Sequence, residues 1–202
     1  MKKSKKDGIT ERTAQLSDVL ELKRLWVEIF EDAPEYVQIF LEDLLEYDKA
    51  LILEADNKIV ASAYLIPCKL KVDNIIFNMY YEYAVLTIPE YRGRGLGLRL
   101  QRFIKKTAEK DGIDAICLLP ADNGLISFYE KSGFKPAFYE SADASYSEVI
   151  YTKAYLDHFA RLYASDVPFE PETVSDDVPG LILRLNKNIP EDLRSVMSVP
   201  TA

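Results

Sequence analysis

Between a run of β-formers, Tyr83-Ala84-Val85-Leu86-Thr87, and an apolar stripe at Leu96, Leu100, Phe103 and Ile104 lies Tyr91-Arg92-Gly93-Arg94-Gly95-Leu96-Gly97. The stripe falls at i, i+4, i+7 and i+8, the repeat of an amphipathic helix. Pro89 ends the strand before it. The segment therefore predicts strand, tight turn and helix in immediate succession, which commits the chain to a layered α/β arrangement. The glycines let backbone N–H groups face outward without a Cβ in the way. A helix start adds unsatisfied donors and a dipole that favours anions. Arg92, Arg94 and Arg99 put positive charge around the same turn. The turn reads as a phosphate cradle.

Three kinds of cradle compete. A P-loop needs Lys followed by Ser or Thr after its last glycine, and Leu98-Arg99 stands there. A dinucleotide fingerprint needs Gly-x-Gly-x-x-Gly, whereas Gly93, Gly95 and Gly97 give Gly-x-Gly-x-Gly. Read as Arg-x-x-Gly-x-Gly, residues Arg92, Gly95 and Gly97 resemble the acyl-coenzyme A signature of the GNAT N-acetyltransferases. A second element, Ser127-Phe128-Tyr129-Glu130-Lys131-Ser132-Gly133-Phe134, resembles that family's helix ending in Tyr-x-Lys-x-Gly-Phe. The two occur in the family's order, with a predicted strand from Ala115 to Leu119 between them. The likeness covers about residues 8–152.

The resemblance implies a mixed, mostly antiparallel sheet flanked by helices on both faces, here with a C-terminal extension. The residues agree. Ile9 to Gln15 predicts a first strand. Ser17-Asp18 offers a cap for a helix through Phe30, and Pro34 suits the first turn of a second helix. Leu51 to Leu53 and Ile59 to Leu65 flank Asp56-Asn57, a hairpin signal. A third strand runs from Ile75 to Thr87. Asn123 is placed to cap the helix carrying Tyr129, and Gly133 to end it. Phe134 to Glu140 and Ser145 to Thr152 predict two more strands. The expected division is a disordered basic tail over residues 1–8, the acetyl-CoA-binding domain over residues 9–152, and an extension packed on it over residues 153–202. In that extension Lys153 to Ala164 is helical in pattern, Asp166 to Gly180 an acidic loop rich in proline, Leu181 to Leu185 an edge strand, and Pro190 to Met197 a short helix. The extension covers a sheet edge, forms a homodimer contact or closes the substrate site.

Composition narrows the function. A net charge of −8 disfavours nucleic acid as the main partner, because phosphate contacts need a basic face. No apolar run reaches the ~18 residues of a spanning helix, so no membrane partner is expected. Cys68 and Cys117 both sit in apolar strands and read as reduced core thiols of a cytoplasmic protein. His158 is the only histidine, which excludes a His-based triad and a multi-His zinc site. No metal is expected.

Acetyl transfer to an amine needs a bound coenzyme, a neutral amine, stabilisation of the developing oxyanion and a proton for the departing thiolate. The resemblance implies acetyl-CoA as cosubstrate, with the main chain of Arg92, Gly93, Arg94, Gly95, Leu96 and Gly97 around its pyrophosphate. It also implies main-chain pairing of the pantetheine arm with Val85, Leu86 and Thr87. Tyr129 aligns with the tyrosine that protonates the thiolate. Asn123 lies near the family's coenzyme-contacting asparagine, and helix capping is its other reading. Glu82 is the candidate base, although strand alternation puts it opposite Tyr81, Tyr83 and Val85 unless a bulge intervenes. The expected acceptor is a primary amine of a small molecule. The acidic first helices, with Glu28, Glu31, Asp32, Glu35, Glu42, Asp43 and Glu46, would steer a cationic one. A protein N-terminus or lysine as acceptor, or a non-catalytic acyl-CoA sensor, are the competing readings.

Overall fold

A computed structural model describes residues 8–139, 147–169, 174 and 177–193. In chain order the elements are β1 (Ile9–Thr13), α1 (Val19–Phe30), α2 (Pro34–Leu44), β2 (Ala50–Ala55), β3 (Lys58–Val72), β4 (Ile75–Thr87) and α3 (Leu96–Lys110). There follow β5 (Ala115–Leu118), α4 (Ile126–Glu130), β6 (Lys135–Phe138), β7 (Ser147–Tyr151), α5 (Lys153–Tyr163) and β8 (Gly180–Arg184). The strands form one eight-stranded sheet in the order β1-β2-β3-β4-β5-β8-β6. The long β3 pairs β2 through its first half and β7 through Cys68–Val72. Only the β4–β5 ladder is parallel among the described strands.

Local chemistry explains the turns. Asp56 and Asn57 carry φ of 48° and 60°, a left-handed pair that Asp and Asn tolerate and that matches the twist of a two-residue hairpin. Pro34 opens α2 at the position where its missing N–H costs nothing. Gly133, at φ 95°, turns the chain out of α4, and the Phe134 N–H donates back to the Tyr129 carbonyl.

Two cores flank the sheet. On one face α1, α2 and α5 bury Trp26, Phe40, Tyr64, Tyr81 and Tyr155. On the other, α3 and α4 bury Leu100, Ile104, Ile116, Tyr129 and Phe134. Cys68 and Cys117 lie buried on the first face, and burial pushes the Cys117 thiol well up.

The tail corrects one expectation. Leu181 to Leu185 read as an edge strand, yet β8 lies inside the sheet, antiparallel to β5 on one side and to β6 on the other. Leu181 and Ile182 are fully buried, which an apolar five-residue run allows on either an edge or an interior strand. The first strand ends at Thr13, two residues short of the expected Gln15. Residues 1–7 of the basic tail, residues 170–173 and 175–176 of the acidic loop, and the predicted helix beyond Leu193 lie outside the described residues, as do residues 140–146.

Candidate active site

The site forms where β4 outruns its parallel neighbour. Pairing between β4 and β5 stops at Tyr81 and Cys117, while β4 continues to Thr87. The edge of Val85–Thr87 that would have met β5 therefore has no strand beside it, and a cleft opens there. A bulge sets which side chains face it. Register jumps from Tyr64↔Tyr83 to Ser62↔Leu86, and Ala84 takes a left-handed φ of 44°. Before the bulge, Tyr81 and Tyr83 join the α1–α2 core while Tyr80 packs toward α3. After it, the even-numbered Leu86 joins the first core and the odd-numbered Val85 the second. Glu82 thus shares a face with Val85, against the simple alternation expected from sequence, and still opposes Tyr81 and Tyr83.

Two clefts meet at this gap. The outer one, of about 590 Å³, is lined by Val85, Leu86, Thr87, Arg92, Gly93, Gly95, Leu96 and Gly97, together with Tyr91, Leu98, Leu125, Phe128, Tyr129 and Lys131. Gly95, at φ 77°, forms the N-cap of α3 and offers no side chain to its first N–H groups. Leu96, Gly97 and Leu98 line the cleft at that helix start, where intrahelical acceptors are lacking. Gly97 has a different reason to be glycine. A Cβ there would meet the Phe128 ring at 2.9 Å, so its absence lets α3 and α4 approach.

The arginines divide their tasks. The Arg92 Nε donates to the Thr87 carbonyl at 3.0 Å, tying the turn to the end of β4, and its side chain lines the cleft. Arg94 lies over the Tyr91 ring at 4.7 Å. Arg99 is bound to β1, through Glu11 at 2.8 Å and the Ile9 carbonyl at 2.9 Å.

The inner pocket, of about 400 Å³, is lined by Trp26, Phe30, Asp32, Tyr81, Glu82, Tyr83, Ala84, Val85, Leu118, Leu119, Pro120, Ala121, Leu125, Tyr129 and Val178. Val85, Leu125 and Tyr129 belong to both. The charges differ. Arg92 and Lys131 face the outer cleft, and Asp32 and Glu82 the inner one.

Glu82 is 3% exposed. One oxygen accepts from the Gln101 amide of α3, and the other has no partner among the described residues. Burial pushes its carboxyl up to about 8, against which the Gln101 hydrogen bond is the weaker effect. Burial also raises the Tyr129 phenol, with the nearby Glu82 charge adding to it, so the phenol is a protonated donor at neutral pH. Asp32 accepts from the Trp26 indole at 2.7 Å. The Tyr36 and Tyr83 hydroxyls share a 2.6 Å hydrogen bond, and burial pushes Tyr83 up to about 12.

Asn123 does not cap the helix. Asp122 caps the 3-10 turn before it, accepting from the Gly124 N–H at 2.6 Å, and Leu125, at the N-cap of α4, gives that helix no side-chain cap. Asn123 is exposed in the short 3-10 turn and lines neither cleft. Sequence reasoning passed over Lys131 and Phe128 as cleft residues, although both lie in the second motif. Asp32 appeared only as one of seven acids, with nothing local to single it out.

No curated protein matches the chain by sequence. Among solved structures, a GCN5-related N-acetyltransferase from Anabaena variabilis superposes with a TM-score of 0.56 at 21% identity, over 64% of this chain and 32% of that one. Eis1 from Mycobacterium abscessus gives 0.62 at 12% identity, over 88% and 51%. A GNAT acetyltransferase from Brucella melitensis, solved with acetyl-CoA, gives 0.52 at 18% identity, over 72% and 97%. The chain spans about a third of the length of the first of these. These likenesses establish the fold. A family model for the acetyltransferase (GNAT) domain matches residues 10–137, well over half of the sequence, and the chain therefore belongs to the GNAT acetyltransferase family.

Proposed function

We propose that the chain moves an acetyl group from acetyl-CoA to the primary amine of a small molecule by direct attack. The observation that carries this reading is the meeting at Tyr129 of two clefts, one lined by the bases Arg92 and Lys131 and the other by the acids Asp32 and Glu82. The outer cleft takes the coenzyme. Its pyrophosphate lies against the N–H groups that open α3, helped by Arg92, and its pantetheine arm runs along the open edge of Val85–Thr87. The thioester then arrives beside Tyr129. The amine enters through the inner pocket.

Glu82 receives a proton from the incoming ammonium. With its carboxyl near pH 8, about one molecule in ten holds the carboxylate at pH 7, and each has an oxygen without another partner. The neutral amine attacks the thioester carbonyl, a C–N bond forms and the C–S bond breaks. Tyr129 gives its proton to the departing sulfur and is reprotonated by the one the nitrogen sheds. The proton on Glu82 leaves to solvent. Charge and atoms balance as ammonium plus thioester giving amide, thiol and one proton.

The test is free-thiol release from acetyl-CoA across a panel of small amines, an N-terminal peptide and a lysine peptide, with the acetylated product identified by mass. The reading expects thiol release matched by an acetylated small amine. Release with peptides alone would move the acceptor to protein, and tight coenzyme binding with no product would make the chain a sensor.

A further inference from the structure

The inner pocket has two ends, on opposite faces of the sheet. Tyr129 and Glu82 stand on the α3 side, where the thioester arrives under the reading above. Asp32 stands on the α1 side, next to Trp26 and Tyr83. A ligand that fills the pocket passes through the gap between β4 and β5 and touches both.

We infer that the acceptor carries two cationic nitrogens, one delivered to Glu82 and acetylated, the other held by Asp32. This deepens the proposed function and rests on it. Three observations support it. Asp32 and Glu82 are the acidic residues lining the pocket, and no Lys or Arg among the described residues lines it. The Glu82 carboxyl is almost wholly buried, with one oxygen that has no partner among the described residues, so the pocket wall carries an acceptor left unfilled by them. The walls between are aromatic. Trp26, Phe30 and Tyr83 line it and give methylene groups an apolar bed.

Asp32 is also prepared for the task. It sits just past the left-handed Glu31 that ends α1, and the buried Trp26 indole holds one of its two oxygens at 2.7 Å. An oriented carboxylate loses little freedom when it meets an ammonium. A carboxylate-bearing acceptor would meet two acids and, among the described residues, no basic side chain, which selects against it.

Trp26 is the only tryptophan in the chain and touches Asp32 directly, so its emission reports occupancy of that end without turnover. The experiment titrates the whole chain at pH 7 with α,ω-diaminoalkanes from 1,3-diaminopropane to 1,6-diaminohexane, and with n-butylamine as the singly charged control. The best diamine is expected to bind about tenfold more tightly than n-butylamine, one charge-assisted contact's worth. Asp32→Asn should remove that advantage, and Asp32→Glu should restore part of it. In turnover, Asp32→Asn should raise KM for the diamine about tenfold while kcat stays within about twofold. Equal binding of diamine and n-butylamine by the wild type, or an undiminished diamine preference in Asp32→Asn, overturns the inference. Should Asp32→Asn fail to fold, the wild-type comparison decides alone. An Asp32-dependent diamine preference without acetylation would defeat the proposed function and leave the cation site at Asp32 standing. Acetylation confined to monoamines would do the reverse.

Discussion

Glu82→Gln should make the protein more stable at alkaline pH and leave it nearly unchanged at pH 5. The folded chain holds the Glu82 proton up to about pH 8, whereas the unfolded chain releases it at the ordinary 4.5. Below pH 4.5 the carboxyl is neutral in both states and imposes no penalty. From 4.5 to about 8 the unfolded state sheds a proton that the folded state keeps, so stability falls as pH rises, by about 1.4 kcal/mol per unit. Across that window the loss amounts to about 4 kcal/mol. Glutamine copies the shape and hydrogen-bonding carbonyl of the protonated acid, still accepts from Gln101, and cannot ionise. At ~2–4 °C per kcal/mol for a chain of this length, the variant should melt roughly 10 °C above wild type at pH 8. Urea denaturation at pH 5, 6, 7 and 8, read by circular dichroism, separates the curves. Parallel pH dependences for the two proteins would show that Glu82 ionises normally when folded, and the argument from its burial would be refuted.

Gly95→Val forces a branched residue into φ 77° at the N-cap of α3 and should weaken coenzyme A binding about tenfold or more by calorimetry. Unchanged affinity in a folded variant contradicts the placement of the pyrophosphate. Tyr129→Phe keeps the buried ring and removes the phenol, so turnover should fall on the order of 10²-fold with little change in coenzyme affinity. Wild-type turnover would make Tyr129 a packing residue. Truncation after Thr152 removes α5 and β8 and strips Leu181, Ile182 and Leu183 from the middle of the sheet. At ~1.5–3 kcal/mol for each, the loss rivals the stability of a typical domain, and the fragment should show no cooperative melt. A fragment melting like the full chain would contradict the interior placement of β8.

What was legible in the sequence was local. The turn at Gly93–Gly97 announced itself through glycine spacing, because φ of 73° and 77° favours glycine and a Cβ at Gly97 would meet the Phe128 ring. Asp56-Asn57 marked its hairpin for the same conformational reason. The misses were non-local. Nothing in Leu181-Ile182-Leu183 distinguishes an interior strand from an edge, since its partners β5 and β6 lie more than 40 residues away along the chain. The parity change at Ala84 had no glycine to signal it, and that change decides that Val85 joins Glu82. Arg99 stood near the turn in sequence as a further charge, and its partners Glu11 and the Ile9 carbonyl came only from β1 lying against α3. Asp122 and Asn123 are both competent caps by residue type, and Asp122 is the one used, at the 3-10 turn ahead of α4.

The central claim is that the two clefts form one continuous site, with coenzyme on the α3 side and amine on the α1 side. A conjugate joining the sulfur of coenzyme A through an acetyl link to one nitrogen of the preferred diamine tests it directly. The account predicts that the conjugate binds at least about a hundredfold more tightly than coenzyme A or the diamine alone, because the second contact becomes intramolecular. It should also displace acetyl-CoA and reproduce the Trp26 emission change of the diamine in a single event. A conjugate that binds no better than coenzyme A and leaves Trp26 emission unaltered would mean that the clefts do not communicate, and would contradict the account.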